Sequence, residues 1–74
     1  MPKILGFFLD IGGDKKSSWD VFIAIDEGNH LSCYCPQTQH AYLDRGYMES
    51  CEEITKEEYL EASRNFYTPE DYLK

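Results

Sequence analysis

Two runs of alternating apolar residues near the N-terminus constrain the fold of this chain more than any other feature. They cover residues 3–11 and 18–26. Because side chains alternate between the two faces of a strand, each run predicts a strand with one apolar face. The apolar faces consist of Leu5, Phe7, Leu9 and Ile11 in the first strand and of Trp19, Val21, Ile23 and Ile25 in the second. The sequence between them begins Gly-Gly-Asp, which favours a turn, so the two strands are predicted to form an antiparallel hairpin.

The next stretch predicts a third, shorter strand over residues 30–35, again with alternating side chains. Its inward side chains are Leu31, Cys33 and Cys35, and its outward side chains are His30, Ser32 and Tyr34. Pro36 has no backbone N–H to donate to a neighbouring strand, so the strand is expected to end there. Residues 37–40 are predicted to form a polar loop.

The second half of the chain contains weaker strand signals and clearer helix signals. Residues 41–50 are compatible with a short helix or with irregular structure, because a glycine within them disfavours a helix. Residues 52–54 could add a fourth short strand. Thr55 and Glu58 have the spacing of a capping box and predict the start of a helix, and residues 68–71 repeat a helix-start pattern.

The chain has 74 residues, a length that allows one domain with a single core, so residues 1–74 are predicted to form a single domain. Six Tyr, four Phe and one Trp indicate that this core is rich in aromatic rings. The predicted fold class is α+β, with an antiparallel meander of three to four strands packed by short C-terminal helices.

The net charge of −7 narrows the classes of partner. Residues 44–74 carry nine acidic against four basic side chains, which disfavours direct binding to nucleic acid or to anionic membranes. No apolar run reaches the length of a membrane span. Three cysteines cannot all pair within one chain, and a reducing cytoplasm is the expected location.

Acidic side chains in the C-terminal half form the main candidate binding surface. They are Glu49, Glu52, Glu53, Glu57, Glu58, Glu61, Glu70 and Asp71. Such a surface would attract a protein with a basic surface, for example the basic groove of a nucleic-acid-handling protein. The alternative is that these acids only keep the domain soluble. A second copy of the chain could also pair at an exposed edge strand and form a homodimer.

Two other groups of residues indicate alternative functions. Aromatic and polar side chains around the loop after the third strand could hold a nucleotide, which would make the protein a small-molecule sponge. They are Tyr34, Gln39, His40, Tyr42 and Arg45. A zinc-stabilised module would use Cys33, Cys35, His40 and Cys51 as ligands, although Cys33 and Cys35 are equally suited to the core.

Catalytic function is not expected, because the sequence has no motif that pairs a nucleophile with a general base. It also has no phosphate-binding glycine loop. No catalytic residue and no cofactor are therefore predicted.

A longer pattern runs through residues 39–60. It consists of Gln39-His40, Tyr47, Cys51 and the sequence Ile54-Thr55-Lys56-Glu57-Glu58-Tyr59. This pattern resembles small uncharacterised accessory proteins of bacteriophages and prophages. The resemblance implies a non-enzymatic protein that binds a host factor. Together with the acidity, the resemblance predicts an inhibitor that acts in the cytoplasm of a host cell. Its expected partner is a host protein with a basic surface, involved in defence or in nucleic-acid handling.

Overall fold

The computed structural model describes residues 3–74, which form a five-stranded antiparallel sheet, two α-helices and a C-terminal 3₁₀ helix. The elements are β1 (Lys3–Leu9), β2 (Val21–Asp26), β3 (Leu31–Cys35), β4 (Gln39–Leu43), α1 (Arg45–Ser50), β5 (Glu52–Ile54), α2 (Lys56–Ser63) and the 3₁₀ helix (Glu70–Leu73). The strands lie in the order β4-β3-β2-β1-β5, so β5 pairs with β1 at the edge opposite β4.

The α+β class and the antiparallel sheet are confirmed, while the number of strands and the placement of the helices are corrected. The sheet has five strands, and only four of them form the predicted meander. Helix α1 lies between β4 and β5, so the helices are not all C-terminal to the sheet. Both differences arise within residues 39–50, which contain a strand that their polar sequence did not indicate and a short helix, one of the two alternatives given for residues 41–50.

Strand β4 replaces part of the predicted polar loop. Gln39 adopts a left-handed backbone conformation, with φ of 63°, which lets the chain reverse within residues 36–38. Gln39 and His40 then pair with Cys35 and Tyr34 of β3. The tight turn therefore leaves no room for a loop extending to residue 40.

Helix α1 forms although it contains a glycine. Asp44 caps it, because the Asp44 side chain accepts a hydrogen bond from the Tyr47 backbone N–H at 3.0 Å. Met48 is buried against the sheet. The cap and this tertiary contact together outweigh the low helix propensity of Gly46.

Both faces of the sheet are covered, and β2 at its centre is buried on both sides. Val21, Ile23 and Ile25 pack in one cluster with Tyr59 of α2, and the intervening Phe22 and Ala24 pack in another with Met48 of α1. We refer to these two sides as the α2 face and the α1 face. Ser32 and Tyr34, predicted to point into solvent, are consequently buried.

The first hairpin is confirmed, but both of its strands are shorter than predicted. The Asp10 N–H donates to the Asp20 carbonyl at 2.7 Å, and the Asp20 side chain accepts from the Asp14 N–H at 2.9 Å. These bonds hold residues 10–20 as an ordered loop. Ile11 and Trp19, predicted to lie in the core, are therefore 60% and 61% exposed.

The predicted apolar face of β1 is also partly wrong. The register between β1 and β2 shifts between Ile4 and Gly6, as at a β-bulge. Ile4 and Phe7 therefore pack on the α2 face, while Leu5 packs on the α1 face with Phe8.

The predicted helix after Thr55 is confirmed with its capping box. The Thr55 hydroxyl accepts from the Glu58 N–H at 3.1 Å, and the Glu58 carboxylate accepts from the Thr55 N–H at 2.9 Å. The helix ends at Ser63, and Phe66 lies beyond it and is exposed. The second helix-start pattern produces only the short 3₁₀ helix.

We predict that Thr55→Ala lowers the free energy of unfolding by about 1 kcal/mol, because it leaves helix amides of α2 without their cap. For a domain of this size, that loss corresponds to a fall in Tm of about 4–8 °C. Thr55→Ser, which keeps the hydroxyl, should stay close to the unsubstituted protein. Equal Tm values for the alanine and serine variants in thermal denaturation would contradict this role of the cap.

Candidate functional site

The structure distributes the eight predicted acidic residues over four elements. Glu52 and Glu53 lie on β5, Glu57, Glu58 and Glu61 on α2, Glu49 on α1, and Glu70 and Asp71 on the 3₁₀ helix. All except Glu58 are exposed, and Glu58 is partly exposed. Since α1 and α2 cover opposite faces of the sheet, Glu49 lies apart from the three glutamates of α2. The predicted surface is therefore not a single one.

Four of these carboxylates are brought together where β5 leads into α2. Glu57, Glu58 and Glu61 line a shallow cleft on α2, and Glu52 is linked to Glu58 through a shared lysine. We call the four residues Glu52, Glu57, Glu58 and Glu61 the acidic face. The capping box at Thr55 fixes the direction in which α2 leaves β5, so the carboxylates are presented on a defined backbone.

The loop between β1 and β2 places basic side chains within the acidic face. The Lys15 ammonium lies 3.4 Å from a Glu52 carboxylate oxygen and 3.3 Å from one of Glu58, and Lys16 lines the same cleft. The hydrogen bonds that the Lys15 ammonium donates to Glu58 and Glu52 raise the pKa of Lys15. The pKa of Glu58 is lowered, first by the Thr55 N–H and then by Lys15. The sequence did not reveal this contact, because Lys15 is distant from both glutamates along the chain.

The remaining acids occupy other parts of the surface. Asp71 pairs with Lys74 at 3.5 Å within the C-terminal segment. This segment is fastened to α2, since the Lys56 ammonium donates to the Leu73 carbonyl. Glu70 and Asp71 therefore form a second, smaller acidic area.

The five residues predicted to hold a nucleotide are not brought to one pocket. Tyr34 is buried, and its hydroxyl donates to the Tyr67 carbonyl at 2.7 Å. His40 Nε2 lies 2.7 Å from the Tyr72 hydroxyl, and the Tyr34 and Tyr72 rings pack against the imidazole. Tyr42 and Arg45 line a different cleft of about 280 Å³. Tyr34 and His40 thus anchor the C-terminal segment to β3 and β4.

The four predicted zinc ligands are likewise divided between the faces of the sheet. Cys33, Cys35 and Cys51 are free thiols that pack on the α1 face, whereas His40 contacts Tyr72 on the α2 face. Within residues 3–74, no three His, Cys, Asp or Glu side chains are arranged to hold a metal ion. Burial raises the pKa of the Cys33 and Cys51 thiols, which keeps both protonated at neutral pH. The cysteines thus behave as apolar core side chains.

The structure also has a groove on the α1 face that the sequence did not predict. It has a volume of about 490 Å³ and adjoins β4. Among the side chains that line it are Asp10, Trp19, Phe22, Cys33, Asp44 and Tyr47. We call this the aromatic groove. The one usable sequence signal was Asp44 as a helix cap, because a helix starting there places Tyr47 in its first turn.

Tyr47 connects the two carboxylates of this groove. Its hydroxyl donates to Asp10 Oδ1 at 2.9 Å, and its backbone N–H donates to Asp44 Oδ2 at 3.0 Å. Burial, together with the hydrogen bond to Asp10, raises the pKa of Tyr47 to about 12. Burial also raises the pKa of Tyr59, at the centre of the core, to about 12.

No protein-family model, curated protein or solved structure matches this chain. Among the helices of the described residues, none is long and apolar enough to cross a bilayer.

We predict that alkaline pH destabilises the protein through Tyr47 and Tyr59. Tyrosine in an unfolded chain has a pKa of about 10, so the unfolded state loses these protons first. The free energy of unfolding should be highest below pH of about 10 and should fall as pH rises towards about 12. Urea titrations across this range measure the fall, and Tyr47→Phe should reduce its steepness. A free energy of unfolding that stays constant across the range would contradict the prediction.

Proposed function

We propose that this chain is a small, non-enzymatic protein that binds a basic surface of a host protein and blocks it. The observation that carries the proposal is the acidic face, in which glutamates of β5 and α2 lie close together on the surface. The resemblance of residues 39–60 to phage accessory proteins supports a phage-encoded inhibitor acting inside a host cell.

The basic side chains within the acidic face do not prevent a partner from binding. The ion pairs of Lys15 and that of Arg64 with Glu61 are all exposed to solvent. Exposed ion pairs contribute only about 0–1 kcal/mol, so a partner's lysine or arginine can replace them at little cost. Glu57 has no ion pair among residues 3–74 and is available directly.

The overall charge also supports binding to a basic protein. Within the described part of the chain, ion pairs engage only four of the 14 acidic side chains, which are Glu52, Glu58, Glu61 and Asp71. The net charge of −7 accelerates the approach of a positively charged surface and repels nucleic acid.

Side chains with catalytic potential are already engaged in structural contacts. His40 is bonded to Tyr72, and the ring Nδ1 of His30 lies 2.6 Å from the Asn29 side-chain oxygen. The raised pKa values of the Cys33 and Cys51 thiols disfavour the thiolate that nucleophilic attack requires. These contacts support a binding function over an enzymatic one, and the nucleotide and zinc alternatives lack a site in which their residues meet.

We predict that Glu57→Lys combined with Glu61→Lys abolishes capture of the partner, because it makes the acidic face basic. The measurement is affinity capture from bacterial host lysate, quantified by mass spectrometry at low and high salt. Binding to the unsubstituted protein should weaken steeply as salt screens the charges.

The matched comparison uses single reversals, because Glu57→Lys and Glu49→Lys each turn one negative charge into a positive one, on α2 and on α1 respectively. Glu57→Lys should weaken capture, and Glu49→Lys should leave it nearly intact. Thermal denaturation confirms that each variant is folded. Unchanged capture by the folded double variant, or equal losses for the two single variants Glu57→Lys and Glu49→Lys, would refute a role for the acidic face.

A further inference from the structure

The aromatic groove combines a buried apolar floor with aromatic walls that remain open to solvent. Phe22 is buried and Cys33 half-buried beneath it, and the raised pKa of the Cys33 thiol keeps this floor uncharged. Trp19 is 61% exposed and Tyr47 is 40% exposed. Because these two rings are exposed beside an apolar floor, they offer apolar surface that a bound side chain would cover. The volume of about 490 Å³ lies in the range of ligand-binding clefts.

Two carboxylates border the groove and are held in place by Tyr47. Each carboxylate uses one oxygen to accept a hydrogen bond from Tyr47. Asp10 accepts from the Tyr47 hydroxyl, and Asp44 accepts from the Tyr47 backbone N–H. Within residues 3–74, neither carboxylate forms an ion pair. Aromatic faces beside carboxylates favour a cationic side chain, through cation–π attraction and charge-assisted hydrogen bonds.

The groove opens at the unprotected edge of the sheet. Strand β4 is outermost, and its residues from Gln39 to Tyr42 are exposed and include no Lys, Arg, Asp or Glu. The opposite edge, β5, has only three residues and carries two glutamates, which are features that discourage strand pairing. Thr38, Tyr42 and Leu43 line the groove and belong to β4 or to the turn before it. An added strand on β4 would therefore run beside the groove.

We propose that β4 and the aromatic groove together bind an extended basic segment of a partner protein. The segment pairs with β4 as a sixth strand and places a lysine or arginine side chain over Trp19, facing Asp10 and Asp44. Backbone hydrogen bonds to β4 supply affinity, and the groove supplies specificity for a cation. This site is separate from the acidic face, because α1 and α2 cover opposite faces of the sheet.

Charge complementarity selects a basic segment over a second copy of this chain. A second copy carries its own net charge of −7, and its β4 has no lysine or arginine to place in the groove. Pairing of two β4 strands would also bring two Asp10 and Asp44 pairs closer together, which like charges oppose.

Trp19 is the single tryptophan of the chain, so its fluorescence reports occupancy of the groove directly. The probe is a synthetic peptide of about eight residues that alternates threonine and valine around one central arginine, a length that matches an ordinary strand. The comparison peptide has glutamine in place of the arginine. We expect saturable binding of the arginine peptide, with a change in Trp19 fluorescence, and binding about tenfold weaker for the glutamine peptide.

Asp10→Asn combined with Asp44→Asn removes both charges but keeps oxygen atoms that can accept from Tyr47, and asparagine remains a good helix cap. This variant should bind the arginine peptide about tenfold more weakly than the unsubstituted protein. Glu57→Gln combined with Glu61→Gln removes the same charge from the acidic face and should bind the peptide normally. If both double variants lose affinity equally, only the overall charge attracts the peptide, and the groove is not the site.

Hydrogen exchange tests the strand-pairing half of the proposal. In the presence of the arginine peptide, amides of β4 should exchange more slowly, while amides of β5 should not change. Protection confined to α2, or no fluorescence change at saturating peptide, would overturn the proposal. Sedimentation experiments could instead detect a dimer of this chain that does not bind the peptide. Such a dimer would show that a second copy covers β4, and it would likewise overturn the proposal. The acidic face is tested with variants of other residues and by affinity capture. The proposal for one site can therefore be refuted while the proposal for the other is supported.

Discussion

Burial of β2 on both of its faces is the constraint on which the rest of this structure depends. Its residues Val21 to Ile25 are all buried, and the side chains alternate between two separate apolar clusters. A short chain can bury a strand completely only if both faces of the sheet are covered, because a single layer of helices protects one face. Helix α1 covers one side, and α2 with the 3₁₀ helix covers the other.

This two-sided cover determines where binding surfaces can exist. The helices and the C-terminal segment are fixed by the core contacts of Met48, Tyr59 and Tyr72. Polar groups on those elements are consequently presented in defined positions, with the acidic face beside α2 and the aromatic groove beside α1. The two surfaces differ in character, since one offers carboxylates that solvent screens and the other offers carboxylates next to exposed aromatic rings. A partner could engage them through different parts of its surface.

Local patterns predicted those elements whose structure is decided by near neighbours in the sequence. The alternation of Val21, Ile23 and Ile25 predicted β2, and the spacing of Thr55 and Glu58 predicted the start of α2. The prediction failed where distant contacts intervene. Trp19 fits the apolar alternation of β2, yet hydrogen bonds among Asp10, Asp14 and Asp20 hold it in a loop. Tyr34 looked like an outward residue because the sequence does not show that α2 and the C-terminal segment cover that face.

The sequence by itself determined the α+β class, the antiparallel hairpin, the capped helix and the acidity of the second half. These features follow from side-chain alternation, hydrogen bonds between residues three apart, and composition. The tertiary structure alone decided which charges and rings meet. It placed Lys15 between Glu52 and Glu58, separated His40 from the cysteines, and assembled Asp10, Trp19 and Tyr47 around one groove. Such groupings depend on the sheet order and on the helices that cover each face, and both are set by packing between residues far apart in the chain.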